Sequence, residues 1–248
     1  MSNEAQVKKL TDIMAQFVGF TAKKLPDDVI AKLQELRDKE DTPMTKVIYD
    51  TMFRNQELAL KLNRPSCQDT GVLQFWVKCG TKFPLIDDLE VLLKEAGGQG
   101  YFLPGNATVL MPGEGYEGVT KFVLDRMTSY GLNACPPLLV GVGVGTSVET
   151  AALNSKKALM RPVGSHNDNA NAAKMEQLLE DGINAIGLGP QGMGGHYSVM
   201  GVNIENTARH PSTIGVAVNV GCWSHRRGHI IFDKDLNYTI TTHTGVEL

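Results

Sequence analysis

Up to Leu62 the apolar residues of this chain recur every three or four positions. Beyond Asn63 that rhythm gives way to short apolar runs separated by glycine and proline. No other feature limits the fold as strongly, because helix faces and strand faces are written in different periods. Val7, Leu10, Ile13, Met14, Phe17 and Val18 form one helical stripe. Pro26, Asp27 and Asp28 open a second helix with acidic residues in its first turn, and Val29, Ile30, Leu33 and Leu36 form its buried face. Thr42 followed by Pro43 is an N-cap and first-turn pair for a third helix through about Leu62.

The remainder reads as mixed. Asn63 to Gly71 is a loop by composition, and Leu73, Phe75, Val77 and Cys79 then alternate as one face of a strand over 72–79. Helices are expected over 87–95, 117–130 (with Gly131 as its C-terminal cap), from Thr146-Ser147-Val148-Glu149 to about Met160, and over 170–186. Strands are expected over 138–144, 199–204, 213–220, 229–232 and 237–240. The predicted fold class is α/β (α+β), N-terminal helices followed by mixed sheets wrapped by helices. It is read as a single domain, 1–248, helical over 1–62 and mixed over 63–248.

The net charge of −3, with 24 basic and 27 acidic residues, gives no basic stripe for a nucleic acid. The longest apolar run, near Pro136 to Val144, is too short to span a membrane. The polar, mixed-charge start over 1–9 lacks the pattern of a signal peptide, so a cytoplasmic location is expected. There the four cysteines are thiols or metal ligands rather than disulfides.

Cys79 falls on the apolar face of its strand and reads as a core thiol. Cys67, Cys135 and Cys222 instead sit where loops meet strands, beside glycine or proline, 68 and 87 residues apart. No Cys-x-x-Cys pair supports a zinc knuckle, no Gly-Lys-Ser/Thr supports a P-loop, and no Gly-x-Ser-x-Gly supports an esterase elbow. Gly187-Leu188-Gly189-Pro190-Gln191-Gly192 matches a dinucleotide-binding fingerprint by letter, but a helix precedes it and a strand follows, the reverse of what that site needs. A loop where backbone approaches a ligand or a partner subunit is the better reading. Strand 138–144, its glycines and the capped helix after them allow either an anion site or a tight strand-to-helix turn. The three cysteines allow either buried inert thiols or a cubane cluster with three protein ligands, which leaves one iron open to substrate.

The words around them point further. Cys67-Gln68-Asp69-Thr70-Gly71 resembles the signature of the class I iron–sulfur fumarase and L(+)-tartrate dehydratase family. Ala134-Cys135-Pro136-Pro137-Leu138-Leu139-Val140-Gly141, Arg209-His210-Pro211-Ser212-Thr213-Ile214-Gly215 and Gly221-Cys222-Trp223-Ser224-His225-Arg226-Arg227-Gly228 resemble its tartrate dehydratase α subunits. The resemblance covers nearly the whole chain. It implies a fold like the N-terminal domain of class I fumarases and a [4Fe–4S] cluster on Cys67, Cys135 and Cys222. It also implies Gln68, Asp69 and Gly98 as substrate-binding residues and Asp69 and His210 as catalytic residues. The implied substrate is a small hydroxy-dicarboxylate, with tartrate dehydrated to oxaloacetate. The implied partner is a β subunit that completes the site in a hetero-oligomer, which makes this chain inactive alone.

This sequence departs from the pattern in one place. Relatives carry several dozen more residues between the helix ending near Glu95 and Leu103-Pro104-Gly105, including a substrate-contacting arginine. Here only 97–102 spans that interval. Two alternatives therefore stand beside tartrate dehydration: fumarate hydration, and a non-catalytic scaffold subunit that has lost part of its site. A nucleotide-binding oxidoreductase built on 187–192 is a third, against which the flanking elements argue.

Overall fold

The computed structural model of the chain describes residues 3–67, 73–97 and 105–248. Its helices are α1 (Asn3–Thr21), α2 (Asp27–Lys39), α3 (Pro43–Lys61), α4 (Leu89–Gly97), α5 (Gly115–Tyr130), α6 (Val148–Ala158) and α7 (Ala170–Asn184). Its strands are β1 (Gly105–Leu110), β2 (Leu138–Gly145), β3 (Val199–Asn206), β4 (Ile214–Gly221), β5 (Ile230–Phe232) and β6 (Tyr238–Ile240). The α/β class and every expected helix are present. The chain divides into two units, one of Met1–Asp27, Asn55–Phe102 and Arg226–Leu248, the other of Asp28–Arg54 and Leu103–His225.

In the first unit, Leu10, Met14 and Phe17 of α1 pack with Leu85, Leu92 of α4 and Leu236, where the β5–β6 hairpin turns. Val7, Phe75, Phe83 and Phe232 pad this core. The expected strand over 72–79 is not there: residues 73–80 form no strand, and Leu73 and Val77 are exposed. The alternation of Leu73, Phe75, Val77 and Cys79 is present in the letters, but among the described residues no strand pairs with it. Only Phe75 reaches the core.

The second unit is built on a four-stranded sheet in the order β1-β4-β2-β3, in which only β2 and β3 run parallel. Its two faces differ in side-chain size. Leu138, Val140, Val142 and Val144 of β2 and Ile214, Val216, Val218 and Val220 of β4 face α5 and α7, meeting Val119, Val123, Met127, Leu179 and Ile183. The other face presents Gly141 and Gly143, where α6 lies against the strand. A Cβ at Gly143 would stand 1.9 Å from the Ala151 carbonyl oxygen, and one at Gly141 would stand 2.3 Å from that of Ser155. The glycines of β2 are therefore contact points for helix packing. Ser147 is the N-cap of α6, its hydroxyl accepting from the Thr150 N–H, while the Thr146 hydroxyl is drawn away to donate to the Ala208 carbonyl. The polar groups buried under α6 are paired: Asn219 Nδ2 donates to Ser155 Oγ at 2.7 Å and Asn203 Nδ2 to the Ala158 carbonyl at 3.1 Å.

Candidate active site

Cys135 and Cys222 come together through this sheet. Leu139 of β2 pairs with Gly221 of β4. Cys135, just before β2, and Cys222, just after β4, therefore lie at the same end of two antiparallel neighbours. One hydrogen bond ties the two segments directly: the Trp223 N–H donates to the Cys135 carbonyl at 3.2 Å. Cys135 is exposed and Cys222 half-buried, and none of the four cysteines is in a disulfide.

Each segment has its own support. Cys135 has a positive φ of 55° and leads into the cis Pro136–Pro137 peptide. On the other side, a Cβ at Gly221 would stand 2.3 Å from the His225 ring, and His225 Nε2 donates to the Leu159 carbonyl at 2.9 Å. Glycine at 221 thus lets the chain fold back over the end of α6 immediately after the cysteine.

Cys67 belongs to the first unit, in the turn after α3. Its predecessor Ser66 is buried and held three ways, by its N–H to the Ala22 carbonyl at 3.0 Å, its hydroxyl to the same oxygen, and its own carbonyl accepting from Asn55 Nδ2 at 2.6 Å. Gln68, Asp69 and Gly98 lie outside the described residues.

His210 is not brought to the cysteine pair. It precedes the first residue of β4, while Cys222 follows the last, so the eight-residue strand lies between them. At the rise of an extended chain this is about 25 Å. There His210 is exposed, and its Nδ1 accepts from the Ser212 N–H at 3.1 Å, closing a local turn.

The glycine-rich run 187–195 contributes a brace that the sequence did not reveal. As its letters implied, α7 precedes it and β3 follows, so it is no dinucleotide loop. Gly189 has φ 63°, and a Cβ there would fall 1.8 Å from the Gly194 carbonyl oxygen. Asn184 Oδ1 accepts from the Ser198 and Val199 N–H groups, and Ser198 Oγ from the Gly189 N–H. The buried carboxylate of Glu40 accepts from the His196 and Tyr197 N–H groups at 3.0 and 3.2 Å. Glu40, Asp41 and His196 offer ligand atoms within 4.8 Å of one another, a metal-compatible spacing. The Glu40 carboxylate, however, is already engaged by backbone, and the group reads as a brace for this loop.

His196 and Asp41 pair at the surface, Nε2 to Oδ2 at 3.1 Å. The Asp41 hydrogen bond and charge raise the His196 pKa above its ordinary 6.5. The pair is therefore fully formed below pH about 6.5 and is lost as pH rises through the higher pKa of the folded state. Asp41→Asn is expected to bring the His196 titration midpoint, read from its ring resonances, back down towards 6.5. An unchanged midpoint would mean the pair does not persist in solution.

A groove of about 560 Å³ in the first unit is lined by Leu73, Phe75, Val77, Ile86, Leu89 and Leu93 with Glu90 and Lys94, and none of the expected site residues among those described lines it.

The model of the family described as fumarate hydratase (Fumerase) matches residues 11–104 and 87–231. The chain belongs to the fumarate hydratase family. The L(+)-tartrate dehydratase subunit alpha of Escherichia coli (strain K12) is 45% identical over 98% of this chain and 97% of its own length, and that of Shigella sonnei (strain Ss046) gives the same figures. A protein of Methanocaldococcus jannaschii is 26% identical over 88% of this chain and 96% of its own. The family match falls in two stretches that overlap at 87–104. The alignment with the K12 relative has 295 positions, and 98% of 248 residues is about 243. The family member is thus longer than this chain by about 50 aligned positions. No described helix is long and apolar enough to cross a membrane.

Proposed function

We propose that this hydro-lyase family member is the α subunit of an L(+)-tartrate dehydratase, forming oxaloacetate and water, with a [4Fe–4S] cluster held by Cys67, Cys135 and Cys222. The observation that carries this reading is the Trp223 N–H to Cys135 carbonyl bond, which ties Cys135 to the residue that follows Cys222. The donor set fits the group: soft thiols outside any disulfide, one of them exposed, with Cys135 and Cys222 on segments held by the sheet. Bound there, such a cluster would supply a Lewis-acidic iron for the hydroxyl and carboxylate of the substrate.

The chain's own residues would do the rest on this side of the site. Gln68 and Asp69 follow the first cysteine and would hydrogen-bond the substrate, Asp69 taking part in proton movement, and the Gly98 N–H would meet a carboxylate. His210, which lies across β4 from Cys222 within this chain, would be the second catalytic residue. The partner implied by the relatives' name, subunit alpha, would be a β subunit carrying the remaining substrate contacts. The complex would work in the cytoplasm.

Two other readings have specific support. The family description favours fumarate hydration. The shortening of about 50 positions favours a scaffold subunit without turnover. Anaerobic assays of the chain alone and with its β partner separate the three. The expected result is oxaloacetate from L(+)-tartrate only in the complex. Malate from fumarate at a greater kcat/KM would give the fumarase reading, turnover by the chain alone would overturn the subunit claim, and a cluster-loaded complex without turnover would give the scaffold.

A further inference from the structure

We propose that Gln191 is a positioning residue for Cys135, clamping the segment that presents this thiol. The inference rests on the cluster reading for its purpose, but its geometry stands without it. The Gln191 backbone N–H donates to the Pro136 carbonyl at 2.8 Å, and its side-chain Nε2 donates to the same oxygen at 3.0 Å. The preceding carbonyl, that of Cys135, accepts from the Trp223 N–H. Two consecutive carbonyls beside the thiol are thus held by two different loops. Between them they restrain the backbone that presents an exposed cysteine.

Gln191 adopts φ 52° and ψ 21°, a left-handed conformation in which glycine would be less strained. Glycine, however, has no amide to reach Pro136. The side chain therefore accounts for a non-glycine residue at this point of a glycine-rich run. The loop is itself anchored away from the cysteines, by Glu40 on the 196 and 197 N–H groups and by Asn184 on those of 198 and 199. Gln191 carries that anchoring to the carbonyl next to Cys135, while the Ser198 carbonyl takes the Leu138 N–H at 2.9 Å further along the segment.

Outer partners of metal ligands commonly govern about 10–100-fold in affinity. Gln191→Glu preserves shape but turns a donor into an oxygen facing the Pro136 oxygen. Gln191→Gly removes the side chain while suiting the left-handed backbone, and so guards against a folding artefact. The full chain, reduced and cluster-free, is treated with iodoacetamide, and each cysteine's rate is read by mass spectrometry. In both variants the Cys135 rate is expected to change several-fold while that of Cys79 holds. After anaerobic reconstitution, cluster loss to a chelator is expected to be at least about tenfold faster, with an altered spin-resonance line shape. An unchanged Cys135 rate in Gln191→Gly, or a change shared equally by Cys79, would overturn the proposal. If wild-type protein takes up no cluster while the Cys135 rate still responds, the clamp stands and the cluster reading falls.

Discussion

Cys135→Ala, in the chain assembled with its partner subunit, is expected to lower tartrate dehydration on the order of a thousandfold or more. A Lewis-acidic metal contributes several kcal/mol to the departure of a hydroxyl, and each 1.36 kcal/mol is tenfold in rate. Cys135 is exposed, so losing its thiol leaves no core cavity, and the fold should survive. The effect should therefore appear as lost cluster absorbance with the unfolding transition nearly unmoved. Cys79→Ala is the control. Its Sγ makes only a 3.5 Å contact with the next carbonyl, and its removal should leave turnover intact. Full turnover in Cys135→Ala would remove this cysteine from the ligand set. Equal losses in both variants would point to a structural cause.

The largest stability effect is expected at Glu176. This side chain is 2% exposed, lying between α7 and the end of β3. Oε1 accepts from Arg161 Nη1 and from the Ile204 N–H, both at 2.8 Å, and Oε2 accepts from the Asn167 N–H at 2.9 Å. Arg161 also donates to the Ile204 carbonyl at 3.0 Å, so strand end, helix and loop share one charged knot. Glu176→Gln would put an amide donor among donors and leave Arg161 with only its longer 3.9 Å ion pair to Glu205. Breaking one side of a buried pair costs about 3–5 kcal/mol. The total to draw on in a typical domain is about 5–15 kcal/mol. Urea unfolding should show the unfolding free energy falling by that amount, as a lower midpoint with an unchanged slope. Replacing both partners by apolar residues, as Glu176→Leu with Arg161→Met, should cost less than the single change. A single-variant shift within about 0.5 kcal/mol would show the knot to be dispensable.

Much of the fold was legible because it is written in period. The stripes of α1, α2 and α3, and the capped helices beyond them, depend on local spacing alone. What escaped depends on partners. β1 went unread because it is an edge strand whose first three residues are exposed, so its letters carry little burial signal. Residues 73–79 carry the alternation of a strand but have, among the described residues, no strand to pair with. In the site, the cysteine words were readable, and the sheet places two of them at one end. His210, twelve residues before Cys222 in sequence, stands a full strand away from it within this chain. Gln191 was hidden for the opposite reason, since its contact, Pro136, lies 55 residues earlier. The glycine run announced close backbone approach, but only the fold shows what it approaches.

The measurement that bears most directly on the central claim is the visible and spin-resonance spectrum of the chain co-purified anaerobically with its β partner, recorded while L(+)-tartrate is added. The account predicts a [4Fe–4S] signal that tartrate perturbs, with oxaloacetate forming alongside. A colourless complex after anaerobic reconstitution would contradict it, because Cys67, Cys135 and Cys222 would then not be cluster ligands.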